Sequence, residues 1–141
     1  MYISETLKRI GMETIKSYTD FEQSKKLAEI LPLENADMFW RHCNLDNLDY
    51  PIMQTEFEYI RNANTPCWSL ASLLNVLPNN ENISTNLSKG GYKLSTLEYT
   101  NSWFVDYEDE TDGLNNCVTS ADNPVDACVA MIEKLNELNL L

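Results

Sequence analysis

The chain is poor in positive charge: ten Lys and Arg stand against 22 Asp and Glu, a formal net charge of −12. The shortage is uneven. Residues 1–30 are balanced, whereas residues 81–141 set Lys89, Lys93 and Lys134 against eleven acids. Phosphate contacts need clustered Lys or Arg, so direct nucleic acid binding is not expected, and a protein with a basic surface is the natural counterpart. Histidine is nearly absent, His42 alone. The four cysteines, Cys43, Cys67, Cys117 and Cys128, form no Cys-x-x-Cys pair. Zinc-site spacing is therefore missing, and no metal or cofactor is expected. Nowhere does the chain approach about 18 consecutive apolar residues, and MYISETLKRIGMETIK lacks the apolar core of a signal peptide. These absences imply no membrane span and a cytoplasmic protein with reduced thiols, buried as small hydrophobes.

Catalytic signatures are missing as well. There is no G-x-S-x-G, P-loop, H-E-x-x-H or dinucleotide fingerprint. His42 and Cys43 are adjacent, and on a strand neighbouring side chains point to opposite faces, so they make no thiol–base pair. The expectation is a non-enzymatic protein. Gly and Pro are few, four and five, and 43% of residues are hydrophobic, which fits a globular chain rather than a disordered one. At 141 residues it fits a single domain.

Several segments have readable patterns. Residues Ser4 to Lys16 form a weakly periodic helix interrupted by Gly11, so residues 1–18 are taken as an N-terminal extension and 19–141 as the domain. In TDFEQSKKLAEILP, Thr19 and Glu22 have capping-box spacing, Phe21, Leu27, Ala28 and Leu31 share a face, and Pro32 stops the helix. ADMFWRH (36–42) and PIMQTEFEYI (51–60) predict two strands. In TPCWSLASLLNVLP, Thr65 is placed as N-cap and Pro66 at the first helical position, with Leu70, Leu73, Leu74 and Leu77 as the apolar stripe. After a short lead-in from Asn82, turns at Gly90-Gly91, Thr100-Asn101 and Asp112-Gly113 divide the next segment into strands. These are Tyr92–Tyr99, Ser102–Glu108 and Leu114–Thr119. DNPVDACVAMIEKLNELNLL is the clearest helix: Asn123 caps, Pro124 opens, and Val125, Cys128, Ile132 and Leu135 trace one face, with Met131 and Leu138 beside it. The fold class is α+β: an antiparallel three-stranded meander, with the N-terminal strand pair as a candidate extension, packed against two to three helices.

The acidic run Asp106 to Asp112 resembles a calcium loop only superficially. Started at Glu108 it supplies Glu110, Asp112 and Gly113, but its first two ligands are too long and its twelfth position is Thr119. A solvated acidic hairpin is the plain interpretation. Asp106 and Glu108 lie two apart on one strand, a spacing too common to indicate acid/base chemistry. The order helix, three strands, helix from Pro66 to Leu138 matches that of double-stranded-RNA-binding domains, yet this region carries −8, the wrong sign for phosphate. Trp40, Trp68 and Trp103 are expected mostly in the core, and any left exposed would anchor a partner.

Three phrases, SYTDFEQSKKLAEILPLENADMFW, TPCWSLASLLNVLP and DNPVDACVAMIEKLNELNLL, together resemble a group of small, acidic, uncharacterised proteins of gut Bacteroidetes, their prophages and mobile elements. The resemblance covers nearly everything after Tyr18 and carries over no functional position.

The sequence thus points to an interaction module with an acidic and aromatic surface, its candidate residues being Trp103, Asp106, Glu108, Asp109, Glu110 and Asp112. Two alternatives stay open: an inhibitor of phage type that imitates nucleic-acid charge, and a domain that sequesters a small ligand.

Overall fold

The structure, a computed structural model, describes residues 16–43, 48–53, 65–95, 97–111 and 117–141. Helix α1 (Phe21–Ile30) starts at Asp20, whose carboxylate accepts from Gln23 N at 2.8 Å while Gln23 Oε1 accepts from Asp20 N at 3.0 Å. The capping box is therefore one residue later than Thr19 and Glu22 predict. Thr19 is fully buried and its hydroxyl is taken by tertiary partners, so it is not free to cap. Leu31 closes α1 before Pro32, as expected.

Strands β1 (Met38–Cys43), β2 (Leu48–Met53) and β3 (Thr65–Cys67) form an antiparallel sheet of order β2-β1-β3. The predicted N-terminal strand pair exists, but it pairs with β3 in a sheet of its own rather than extending the meander. The second strand begins at Leu48, before the expected Pro51, and residues 54–60 of that prediction lie outside the described residues. Thr65 and Pro66 prove to be strand rather than helix start. Pro66 lacks an N–H, and β3 is an edge where that loss is tolerated. Ser69 takes over as N-cap, accepting from Ser72 N at 3.2 Å, and helix α2 is Leu70–Val76.

The second sheet is the expected meander with a different first strand. Strands β4 (Ile83–Lys89), β7 (Trp103–Asp109) and β8 (Cys117–Ala121) run antiparallel in the order β4-β7-β8. Between β4 and β7, β5 (Tyr92–Lys93) and β6 (Glu98–Tyr99) make a small hairpin of their own, where one long strand is predicted. The sequence ISTNLSK looks like a polar lead-in, yet its Ile83 and Leu87 fall on the inward side of a seven-residue pairing with β7.

Helix α3 (Pro124–Glu137) forms as predicted. Asn123 Oδ1 accepts from Asp126 N at 2.8 Å, and Val125, Cys128, Met131, Ile132 and Leu135 are buried. Leu138 is 53% exposed, because it is the C-cap and has passed beyond the sheet. One side of α3 meets β7 and β8, the other meets α2, and its first turn touches α1. Val105 and Tyr107 of β7 are buried beneath it. Each such side chain contributes about 1.5–3 kcal/mol of burial.

Residues Ser17 to Thr19 strap the start of α1 to the junction of β3 and α2. Leu70 N donates to Ser17 O and Thr19 N donates to Trp68 O, both at 2.9 Å, and Tyr18 bridges to Ser69. Beneath this strap lies a buried chain of polar groups. Trp40 Nε1 donates to Ser24 Oγ at 3.0 Å, Ser24 Oγ is 2.8 Å from Thr19 Oγ1, and Trp68 N donates to Thr19 Oγ1 at 3.1 Å. Thr19 Oγ1 lies 3.6 Å from Cys67 Sγ, which in turn faces Thr19 O at 3.5 Å. If Ser24 donates to Thr19 and Thr19 to Cys67, each hydroxyl both gives and receives a proton. An unmade partner here is costly, since the groups are sealed from water. Thr19→Val, which keeps the shape and removes the hydroxyl, is expected to lower the stability by about 1–3 kcal/mol, read as a reduced urea midpoint; an unchanged midpoint would show the chain to be energetically idle.

Candidate interaction surface

Alternation along β7 assigns the predicted site residues to two faces. Val105 and Tyr107 turn inward under α3, with Thr119 Oγ1 on β8 donating to Ala127 O at 2.9 Å on the same side. Trp103 belongs to this inner face: it packs on the core at the sheet's end, with Lys89 Nζ 5.7 Å from its ring centroid. Asp106 and Glu108 point outward, away from the helices, together with Phe104. Asp109 ends the strand, where its Oδ1 accepts from Thr111 N at 3.0 Å and Thr111 Oγ1 at 2.6 Å. Glu110 is exposed in the turn, its N–H donating to Asn82 O at 2.8 Å. Asp112 lies outside the described residues. The structure thus brings Asp106 and Glu108 together, leaves Asp109 and Glu110 at the neighbouring tip, and puts Trp103 on the opposite face.

Register fills in the rest of the outer face. Phe104 stands between Ser88 and Ser120, Asp106 between Asn86 and Val118, and Glu108 beside Ser84. Asn86, Ser88, Glu108, Val118 and Ser120 are exposed, Val118 at 53%. No Lys or Arg lies on this face among the described residues. Sequence reasoning missed Val118 and the Ser/Asn border. The available signal was the alternation of Cys117 to Ala121, where Cys117, Thr119 and Ala121 turn inward and leave Val118 and Ser120 outside.

The base of the β5–β6 hairpin borders Phe104. A Cβ at Gly90 would stand 2.5 Å from Thr100 Cγ2, 3.0 Å from Thr100 O and 3.1 Å from Phe104 Cε2. The Thr100 side chain occupies the place a Cβ would take.

A separate charged cluster joins the strap to two helix starts. Lys16 Nζ reaches Asp126 Oδ1 at 2.9 Å, Asp20 Oδ2 at 3.0 Å and Gln23 Oε1 at 2.8 Å. Gln23 Nε2 and Asn123 Nδ2 also donate to Asp126, each at 2.7 Å. Burial pushes the Asp126 carboxyl upward, but the bonds from Lys16, Gln23 and Asn123 outweigh it and hold the group below its ordinary value. Asp20 is likewise lowered: burial opposes, while the Gln23 N–H and Lys16 prevail. Lys16 is raised, since the two carboxylates overcome its own burial. With every member paired, this cluster is a clamp rather than a reactive site.

Cys67 and Cys128 are buried and Cys117 is half-buried. Burial alone pushes Cys128 up to about 11, and burial is also the leading cause of the upward shifts of Cys67 and Cys117. His42 and Cys43 are consecutive in β1. Among the described residues, no three His, Cys, Asp or Glu side chains converge to hold a metal ion, and no helix is long and apolar enough to cross a membrane. Comparison of the chain with protein-family models, with curated proteins and with solved structures finds no match. The functional reading therefore rests on the surface itself.

Two outcomes are expected. Gly90→Ala sets a methyl against the Thr100 side chain and crowds its carbonyl, and should cost about 1–3 kcal/mol, measured by urea unfolding. For the clamp, the depressed carboxylates contribute stability above their ordinary value of 3.8, and it is lost as pH falls through their folded values. The raised lysine contributes below 10.5, and that share is lost as pH rises through its folded value. Lys16→Met should therefore destabilise by about 1 kcal/mol or less near pH 7 and by nothing measurable near about pH 2. A deficit that persists in acid would assign the effect to packing instead.

Proposed function

We propose that the protein is a non-enzymatic interaction module that receives a basic protein surface on the outer face of the β4–β7–β8 sheet. The observation that carries this reading is the composition of that face: Asp106 and Glu108 two apart on β7, Phe104 preceding them on the same strand, Val118 across from Asp106 on β8, and no Lys or Arg on this face among the described residues. Carboxylates beside the exposed Val118 and the half-buried Phe104 suit a partner that supplies Lys or Arg, because complementary charge steers encounter and apolar contact slows departure. The net charge of −12 works in the same direction at long range.

Protein recognition is favoured over imitation of a nucleic-acid backbone by the length of the acidic row. Asp106 and Glu108 share the outer face and Glu110 follows them in the exposed turn, whereas Asp109 has the parity of the inner face and bonds its own turn. A phosphate backbone is a continuous charged track, which so short a row does not trace.

The test uses Asp106→Asn with Glu108→Gln in the full-length chain, a change of charge without a change of shape. A protein captured by the wild-type chain and then purified should bind it with an affinity that falls as salt rises. It should bind the double variant about tenfold more weakly. Equal binding to both chains, or binding indifferent to salt, would overturn the assignment of this face.

A further inference from the structure

We infer that the basic partner engages as an extended segment that adds to the free edge of β8, with basic residues alternating with apolar ones. This rests on the reading of the outer face given above and specifies how that face is used. In the order β4-β7-β8, β4 and β8 are the edge strands, and the chain treats them differently. The β4 edge is crossed by the Pro78–Asn80 segment: Thr85 Oγ1 donates to Pro78 O at 2.9 Å, and Asn80 N donates to Ile83 O at 2.8 Å. Asn80 Oδ1 also accepts from Asn82 N and Ile83 N, and the strand ends in Lys89. These are the usual guards of an edge: a covering loop and a lysine. β8, with the sequence CVTSA, has no charge and no proline, and among the described residues no chain pairs along its far side. Its outward N–H and C=O groups are a template for another strand.

The register says which strand fits. Neighbouring strands are about 4.8 Å apart, so outward residues of an added strand would lie beside Val118 and Ser120, one strand removed from Asp106. A lysine stem can cross the exposed Val118 and present its ammonium to Asp106 and Glu108. Residues of the opposite parity would lie beside Cys117, Thr119 and Ala121 on the side covered by α3, where apolar side chains are wanted. A second copy is a poor occupant: its own β8 brings no cation, and edge-to-edge pairing would set one acidic face beside another.

The probe is a peptide of about eight residues alternating Lys and Val, offered to the full-length protein. Two further versions are methylated on the backbone nitrogen, one at every Lys and one at every Val. The parent peptide should bind and slow amide exchange within Cys117–Ala121. Only amides of one parity face β8, so one methylated version should bind about tenfold more weakly while the other binds as the parent does. The Asp106→Asn, Glu108→Gln variant should bind the parent peptide more weakly. Equal binding of all three peptides, still weakened by the double variant, would overturn strand addition and leave the acidic-face reading standing. Loss of affinity on methylation with no effect of the double variant would overturn the acidic face instead. Slow exchange of β8 amides without peptide, in a protein that dimerises with concentration, would overturn the proposal in favour of a second copy.

Discussion

A three-stranded sheet has two faces, and α3 covers one of them. Val105 and Tyr107 on the central strand are sealed beneath Cys128, Met131, Ile132 and Leu135, and this contact joins the longest helix to the middle of the β4–β7–β8 sheet. Because side chains alternate along a strand, fixing Val105 and Tyr107 inward fixes Phe104, Asp106 and Glu108 outward. The acidic face is the geometric remainder of a burial problem. A one-residue slip of β7 would put two carboxylates under a helix, at a desolvation cost that the fold could not carry.

The strap from Lys16 to Thr19 addresses a different difficulty, that of uniting two small sheets. A sheet of three strands and a helix of ten residues are small units to stand by themselves. Thr19 meets this need by offering its backbone to Trp68 and its hydroxyl to Ser24 and Cys67 at once. Lys16 then ties the same segment to the first turns of α1 and α3 through Asp20 and Asp126. Three elements far apart in sequence therefore depend on four consecutive residues.

Those joints are where the sequence was least legible. Thr19 has the side chain and the spacing of a cap, and local chemistry alone favours it; Asp20 takes the role because burial has claimed the threonine. Thr65-Pro66 opens many helices, yet here pairing of Cys67 and Pro66 with Met38 and Phe39 holds it extended. Ile83–Lys89 was hidden for the converse reason, since a strand with one inward face needs few apolar residues and ISTNLSK has two. By contrast, α3 was readable almost to the residue: Asn123, Pro124 and the Val125–Leu135 stripe are all local signals. The acids of the candidate surface were visible in sequence as a cluster, but Trp103 was grouped with them by proximity along the chain and separated from them by the parity of the strand.

Composition and local pattern determined the α+β class, the meander, the long C-terminal helix and the sign of the surface charge, because propensity, capping and alternation act within a few residues. Tertiary structure alone decided which strand completes the meander, which residue caps α1, and which face of the sheet α3 covers. Those outcomes turn on pairing between segments tens of residues apart, where a hydrogen bond or a buried hydroxyl outweighs the local preference.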